Sequence, residues 1–495
     1  MEFQVPAIYF VVAAPLIIVA LTGMILMIID LFAEGFLKKW APLLTLIGLA
    51  LAFVQVVSGW NHPTATFTPV GGDSMLVADN FATFLNIIFL LTGMITVLIS
   101  VNFLKRTGLD RPEFYMLMLF SLLGMMLMGM ANDLILIFLA LELLSIPLYI
   151  MAGMAWPRPD SEESAMKYFL LGAFSSAIFV FGIALMYGAT GTTSIPSIVE
   201  VGSESAGLLY AGIAMLLVGF GFKIAAVPFQ MWTPDVYDGA PTAVTAFMSV
   251  GAKTAGFAAL LRVLVAALPA ASDAWLPAIA TLAALTLIVG NIAAIVQQNI
   301  KRMLGYSSIA HAGYILIAVA ASATVPDGTS AALFYLFAYL FTNLGAFAIV
   351  IAMEKELGQG VMLNDYKGLA KRNPGMALAM AFFMLSLTGI PLTGGFAAKF
   401  YVFSTAIEAG LTWLTIIAVI ASVVSAFYYL RVVYLMYMYA DESAGEAQFH
   451  AGWPLRTAVI VTALTTFFLG IMPGWGWDFA RDAVIQTAQT IVAGG

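Results

Sequence analysis

Apolar runs of about twenty residues recur along almost the whole chain, separated by short polar loops. A run of roughly 20 apolar residues is the length a helix needs to cross a bilayer. At that depth only helices and closed barrels satisfy their own backbone hydrogen bonds. Fourteen segments are expected, near 7–29, 40–59, 80–104, 114–131, 133–152, 163–189, 207–231, 242–265, 275–297, 303–325, 329–353, 376–404, 411–439 and 456–473. Of the 495 residues 62% are hydrophobic and 9% charged, whereas a soluble domain carries about 25% charged residues. The sequence therefore predicts an all-α polytopic membrane protein of about 14 transmembrane helices, a single membrane domain over 1–495 with no soluble domain. The start, MEFQVPAIYF, lacks the positive region and small-residue cleavage site of a signal peptide, so the first run is expected to be a retained helix.

Several function classes drop out. The chain has no cysteine, which excludes disulfides, Cys-ligated zinc and Cys-ligated iron–sulfur clusters. Of three histidines, His62 and His450 fall in loops, so no multi-His metal site is expected. No basic patch interleaved with aromatics points to nucleic acid. The loops separate by charge. Lys38, Lys39, Lys105, Arg106, Arg111, Arg158, Lys301, Arg302, Lys355, Lys367, Lys371, Arg372 and Arg456 fall on one side. The other side holds Asp73, Asp79, Glu200, Glu204, Asp273, Asp327 and Glu408, with Arg481 its one basic residue. Basic loops stay cytoplasmic, which places both termini outside.

Charges inside the spans carry the functional signal. Glu142, Lys223, Lys253 and Lys399 lie within stretches that otherwise read as lipid-spanning. An ionisable group at bilayer centre costs about 2.5–3.5 kcal/mol on insertion scales. A chain that repeats this cost faces its charges toward one another or toward a polar pathway, so a transporter of protons or small cations is the first expectation. Glu142 sits near the middle of its span, where it must pair or protonate; a structural ion pair is the plainer alternative. Lys223 precedes Pro228 by five residues, and proline breaks a helix. Lys223 also lies close enough to one interface to snorkel. Lys253 lies near mid-depth, where snorkelling is least plausible. Lys399 follows GIPLTGGF, in which Pro391, Gly394 and Gly395 predict an unwound stretch. Two interrupted helices in corresponding places suggest an internal repeat around a central pathway. His311 shares a helical stripe with Ser307, Ser308 and Tyr314; its ordinary pKa near 6.5 suits a relay, although a lone His in an apolar helix is often only a packed core residue. Lys167 lies about a turn inside its helix and either joins the pathway or snorkels. Arg262 and Arg431, near helix ends, read as structural.

Three blocks give the chain a family resemblance: FKIAAVPFQMWTPDVYDGAPTAVTAFMS, KRMLGYSSIAHAGY and LTGIPLTGGFAAKF. They resemble the antiporter-like membrane subunits of proton-pumping NADH:quinone oxidoreductase, respiratory complex I, over nearly the whole chain. PDVYDGAPT, at 234–242, is most similar to the smallest of the three such subunits. Sibling subunit M typically has Glu where Lys399 stands, and subunit L ends in a long lateral helix that has no counterpart here. The resemblance implies two inverted five-helix repeats at 114–268 and 269–440, flanked by three helices over 1–113 and a helix with a tail over 441–495. It implies broken seventh and twelfth helices, a Glu142–Lys223 charged pair, Lys253 as central relay, His311 as a bridge and Lys399 as the terminal proton-exchanging group. Two positions depart from the usual block: Gln230 stands where the family often has His, which removes a proton carrier there, and Ala243 stands where Pro is common.

The resemblance further implies no cofactor in this chain, with flavin, iron–sulfur clusters and quinone held by partner subunits. Subunit M and small membrane subunits are the expected neighbours, in a bacterial inner membrane. Protons would pass from the cytoplasm along Lys223, Lys253, His311 and Lys399 to the periplasm. A subunit of a multi-subunit cation/proton antiporter shares the helix plan and the Lys/Glu pattern, and a purely structural spacer is the bland alternative.

Overall fold

The computed structural model describes residues 8–69, 72–200, 206–439, 451–483 and 485. His450, Glu204 and most of the expected 440–455 loop lie outside these residues. The chain begins with α1 (Phe10–Phe32) and α2 (Glu34–Ser58). Two three-residue antiparallel strands follow, β1 (Thr64–Thr66) and β2 (Leu76–Ala78). Then come α3 (Asn80–Thr107), α4 (Glu113–Met130), α5 (Leu134–Ala152), α6 (Pro159–Thr190), the short α7 (Ile195–Glu200), α8 (Ala206–Lys223), α9 (Trp232–Gly239) and α10 (Thr242–Leu261). The second part holds α11 (Ser272–Ile295), α12 (Ile300–Ala321), α13 (Asp327–Met353), the one-turn α14 (Leu369–Arg372), α15 (Pro374–Thr388), α16 (Gly394–Glu408), α17 (Thr412–Met438), α18 (Trp453–Ile471) and α19 (Pro473–Arg481).

Among the described residues thirteen helices are long and apolar enough to cross a membrane. The remaining expected segment, 376–404, is the pair α15 and α16, each too short to do so alone. The architecture is therefore all-α and polytopic. The 60–79 loop carries the β1–β2 hairpin, whose six paired residues are too few to leave a periodicity to read.

Helix ends follow local chemistry. Asp133 caps α5 by accepting from the amides of Ile135 at 2.8 Å and Leu136 at 3.2 Å. Asn299 does the same for α12, accepting from Lys301 N at 2.8 Å. Each cap satisfies amides that the first helical turn leaves open. Helices α10, α12 and α13 are almost wholly buried, whereas α1, α2, α6, α17 and α18 leave large apolar faces uncovered. Lys253, on α10, and His311, on α12, thus sit on core helices, and both are buried.

Both interrupted helices are present. After α8 the chain leaves helical geometry at Ile224, passes Ala225 with φ of +61° and the Val227–Pro228 bond, and resumes as α9 at Trp232. The amide of Val227, outside any helix, is satisfied by Thr286 Oγ1 at 2.9 Å. The second break spans 389–393, from Gly389 (φ +91°) through Pro391 and Leu392 (φ +70°). Here one expectation is corrected: Gly394 and Gly395 are not unwound but form the first turn of α16, capped by Thr393. Their role is close approach. A Cβ on Gly395 would come within 1.9 Å of Ser386 O, so only glycine lets α16 start against the end of α15.

Candidate functional site: a buried row of cations

Lys223 is the last residue of α8, and only 4% of it is exposed. Its Nζ donates to Ser145 Oγ on α5 at 2.8 Å and lies 5.8 Å from the Tyr168 ring centroid. Glu142 stands one helical turn before Ser145 and accepts from Ser176 on α6. The direct Glu142–Lys223 ion pair is thus not formed: the two groups are linked through α5, each held by its own serine. The cause is placement. Glu142 is half-buried beside the exposed Leu139 and Ile146, while Lys223 is enclosed on the inner side. Ser145, Tyr149, Ser175, Ser176 and Lys223 line a space of about 10 Å³ between them, room for about one water.

The stem of Lys223 runs along α10 at Gly256, where an added Cβ would meet Lys223 Cγ at 3.4 Å. One turn back on the same helix is Lys253, 3% exposed. Its ammonium donates to both the carbonyl oxygen and the Oγ of Ser308 on α12 and lies 5.7 Å from the Tyr339 ring. His311 follows Ser308 by three residues and therefore shares its face. Its Nδ1 lies 2.7 Å from Tyr335 Oη and its Nε2 3.1 Å from Tyr429 Oη. One ring nitrogen of a neutral imidazole donates and the other accepts, so the two tyrosines play opposite roles. Tyr429 also bonds Ser307 Oγ.

One turn further along α12, the Tyr314 ring lies 4.7 Å from Lys399 Nζ. Lys399 is 4% exposed and donates to Leu387 O at 3.1 Å, Thr388 O at 2.8 Å and Ser422 Oγ at 2.9 Å. Those carbonyls end α15, where the break leaves them without intrahelical donors. A cation at a helix C-terminus also meets the negative end of its dipole. The stripe Ser308, His311 and Tyr314 on α12 therefore joins Lys253 to Lys399.

Lys167 does not join this row. Its Nζ pairs with Asp235 at 2.7 Å and with Glu163, and its side chain is 40% exposed. Arg302 meets the other Asp235 oxygen at 2.8 Å. Burial works to raise the Asp235 pKa, but hydrogen bonds from Lys167 and Arg302 outweigh it and hold this carboxyl below its ordinary value. This cluster borders a polar vestibule of about 320 Å³ on the side of the basic loops, lined among others by Arg158, Lys301 and Glu354. Arg262 and Arg431 lie apart from the row. Arg262, 1% exposed, grips Asp79 through two nitrogens at 3.1 and 2.9 Å and donates to Gly129 O at 3.1 Å. Arg431 donates to Gln298 Oε1 at 2.7 Å at the end of α11.

The sequence reading missed Ser145, Ser176, Tyr335, Tyr429 and Ser422. A serine one turn from Glu142 was a usable signal; Tyr429 and Ser422 offered none, because their role depends on which faces of α17 and α12 meet.

Buried lysines, two of them beside helix breaks, threaded by a polar stripe and flanked by a membrane-depth carboxylate, define an antiporter-like proton-translocating membrane subunit. The family described as NADH:quinone oxidoreductase/Mrp antiporter, transmembrane, matches residues 131–425. The chain is 46% identical to NADH-quinone oxidoreductase subunit N of Trichlorobacter lovleyi, with 96% of each covered. It is 43% identical to subunit N 2 of Roseiflexus castenholzii, over 100% of this chain and 98% of that protein. A chain of respiratory complex I from Thermus thermophilus superposes with a TM-score of 0.80 at 36% identity, over 94% of this chain and 99% of that one. A chain of the Mrp complex from Dietzia shares the fold at a TM-score of 0.83 and 21% identity. The chain belongs to the subunit N family of NADH:quinone oxidoreductase.

Proposed function

We propose that this chain carries a proton channel of respiratory complex I in a bacterial inner membrane. Protons move from the cytoplasm, on the side of the basic loops, along Lys223, Lys253, His311 and Lys399 toward the periplasm, where both termini lie. The observation that carries this reading is the burial of all four groups, each 3–4% exposed, along one hydroxyl-lined route, with Lys253 and Lys399 held by hydroxyl and carbonyl oxygens rather than by carboxylates. Buried charges left without a counter-ion are costly, and a titrating pathway is the use that repays them.

NADH oxidation and quinone reduction belong to partner subunits that hold the flavin, clusters and quinone; no group of three or more His, Cys, Asp or Glu that could bind a metal occurs among the described residues. The half-buried Glu142 lies on an exposed face with Leu139 and Ile146. A carboxylate there favours contact with a neighbouring membrane subunit, such as subunit M or a small subunit, over contact with lipid tails. The order α4 to α10 followed by α11 to α17, each part with one broken helix, supports the two inverted repeats at 114–268 and 269–440.

The test is Lys253→Ala in the assembled complex, reconstituted into liposomes, with protons moved per NADH oxidised as the readout. A lower ratio at full assembly is expected. An unchanged ratio removes Lys253 from the pathway and the reading with it.

A further inference from the structure

The vestibule and the buried row are separated in one place and joined in another. Toward Lys223 the way is walled by aromatics. Tyr168 stacks on Trp232 with centroids 4.5 Å apart, Tyr149 meets Tyr168 at 4.7 Å, and Phe222 meets Trp232 at 5.4 Å. Trp232 is locked further by its indole N–H donating to Phe222 O at 3.0 Å. The Tyr168 ring thus packs on Trp232, three residues before the vestibule residue Asp235, and lies 5.8 Å from the Lys223 ammonium.

Toward Lys253 the lining is polar. Thr242, Thr245, Ser249 and Lys253 follow one another on α10 at spacings of three and four residues, which sets them on one face. All four are at most 3% exposed. At the outer end of this stripe Glu354, fully buried yet bordering the vestibule, accepts from Thr242 Oγ1. Near the inner end Asn343 of α13 donates from Nδ2 to Ser249 Oγ at 2.6 Å. Its Oδ1 is buried and has no partner in the protein. A buried amide oxygen without a protein partner is an acceptor for a structural water. Thr245 and Ser249 also donate to backbone carbonyls, of Tyr237 and Ala246, and Glu354 also accepts from Gly358 N; each hydroxyl oxygen keeps lone pairs with which to accept.

We propose that Glu354, Thr242, Ser249 and Asn343 form an entry branch that delivers protons from the vestibule straight to Lys253, by-passing Lys223. The inference rests on Lys253 being a proton carrier. Glu354 takes a proton from vestibule water and its new O–H turns to donate to Thr242 Oγ1. Thr242 passes its own hydroxyl proton inward as it receives that one. Thr242 and Ser249 are seven residues apart, about 10 Å along the helix axis, so waters held by Thr245 and Asn343 Oδ1 carry the middle step. Ser249 exchanges its proton in the same way, and the neutral amine of Lys253 ends as ammonium while Glu354 returns to carboxylate. One proton has then moved from vestibule water to Lys253, with no other change.

Ser249→Val and Ser249→Thr, nearly equal in shape, separate the hydroxyl from packing. Each is compared with Lys253→Ala in liposomes carrying the assembled complex, by protons moved per NADH. The expected result is that Ser249→Val loses part of the ratio that Lys253→Ala loses, since Lys223 still supplies Lys253, and that Ser249→Thr restores it. If Ser249→Val does not assemble, Asn343→Leu is read by the same comparison. A wild-type ratio in the Val or Leu variant, beside a lowered one in Lys253→Ala, overturns the branch and leaves Lys253 as a carrier. Equal loss in the Thr and Val variants also overturns it, since the hydroxyl then does not matter. A wild-type ratio in Lys253→Ala overturns both readings together.

Discussion

Lys399 Nζ lies 2.8 Å from the carbonyl oxygen of Thr388, the last residue of α15. The break between α15 and α16 is thus also the site of a charge: unwinding at 389–393 frees carbonyls, and the ammonium from the next helix takes them up. Breaking a helix and placing a lysine beside the break are one structural solution, because either alone would leave polar groups unmet in an apolar core. Lys399→Met is expected to abolish this chain's share of proton movement while NADH oxidation continues. Losing a proton donor–acceptor slows its transfer step by about 10²- to 10⁴-fold. Proton uptake by liposomes during NADH oxidation measures it.

Much of this was legible in the primary structure. Four charges in apolar runs marked the row, and Pro228 and Pro391 marked both breaks, because each violates a rule that lipid enforces strictly. Gly394 and Gly395 misled, since glycine serves both unwinding and close approach, and only the position of Ser386 shows which applies. The separation of Glu142 from Lys223, which interact by charge without a direct ion pair, was not legible. Periodicity places Glu142 on α5 but does not tell which side of α5 the neighbouring helices cover. Tyr335 and Tyr429 belong to helices rich in aromatics, and nothing local distinguishes a tyrosine touching His311 from one that packs.

Ser145 fixes the ammonium of Lys223, and the charge of Glu142 acts on that same ammonium, so the effects of Ser145 and Glu142 should couple. Hydrogen bonds to charged groups are worth about 1.5–3 kcal/mol. Ser145→Ala is expected to lower proton movement less than Lys223→Ala does. Combined with Glu142→Gln it should cost less than the sum of the two single changes, as members of one network do by about 0.5–3 kcal/mol. Initial rates of acidification for the two single variants and the double variant provide the cycle; strict additivity would show that the serine only fills space.

Arg262 and Asp79 form the fully enclosed pair that joins the end of α10 to the start of α3, with the guanidinium also 4.9 Å from the Phe81 ring. Removing one partner of a buried pair costs about 3–5 kcal/mol, because the other charge stays behind. Arg262→Ala should therefore reduce the amount of chain found in the assembled complex on native gels. Arg262→Lys should rescue it poorly, since an ammonium cannot make the two-pronged contact.

Asp235 gives the vestibule a pH dependence whose sign follows from its partners. Lys167 and Arg302 hold its folded-state pKa below the ordinary 3.8, against the opposing effect of burial. A carboxylate depressed on folding contributes stability that is present above its unfolded value and lost as the pH falls through the folded one. The Asp235 contribution should then be intact at neutral pH and fade only once the pH drops below about 3.8. Asp235 is 34% exposed and its two partners 40% and 31%, so solvent and salt screen the cluster and the effect is modest. Thermal unfolding of the wild type and of Asp235→Asn across the acid range measures it. The wild type should be the more stable at neutral pH and low salt, and the gap should narrow both on acidification and on adding salt. A gap independent of pH would mean that Asp235 contributes by shape rather than by charge.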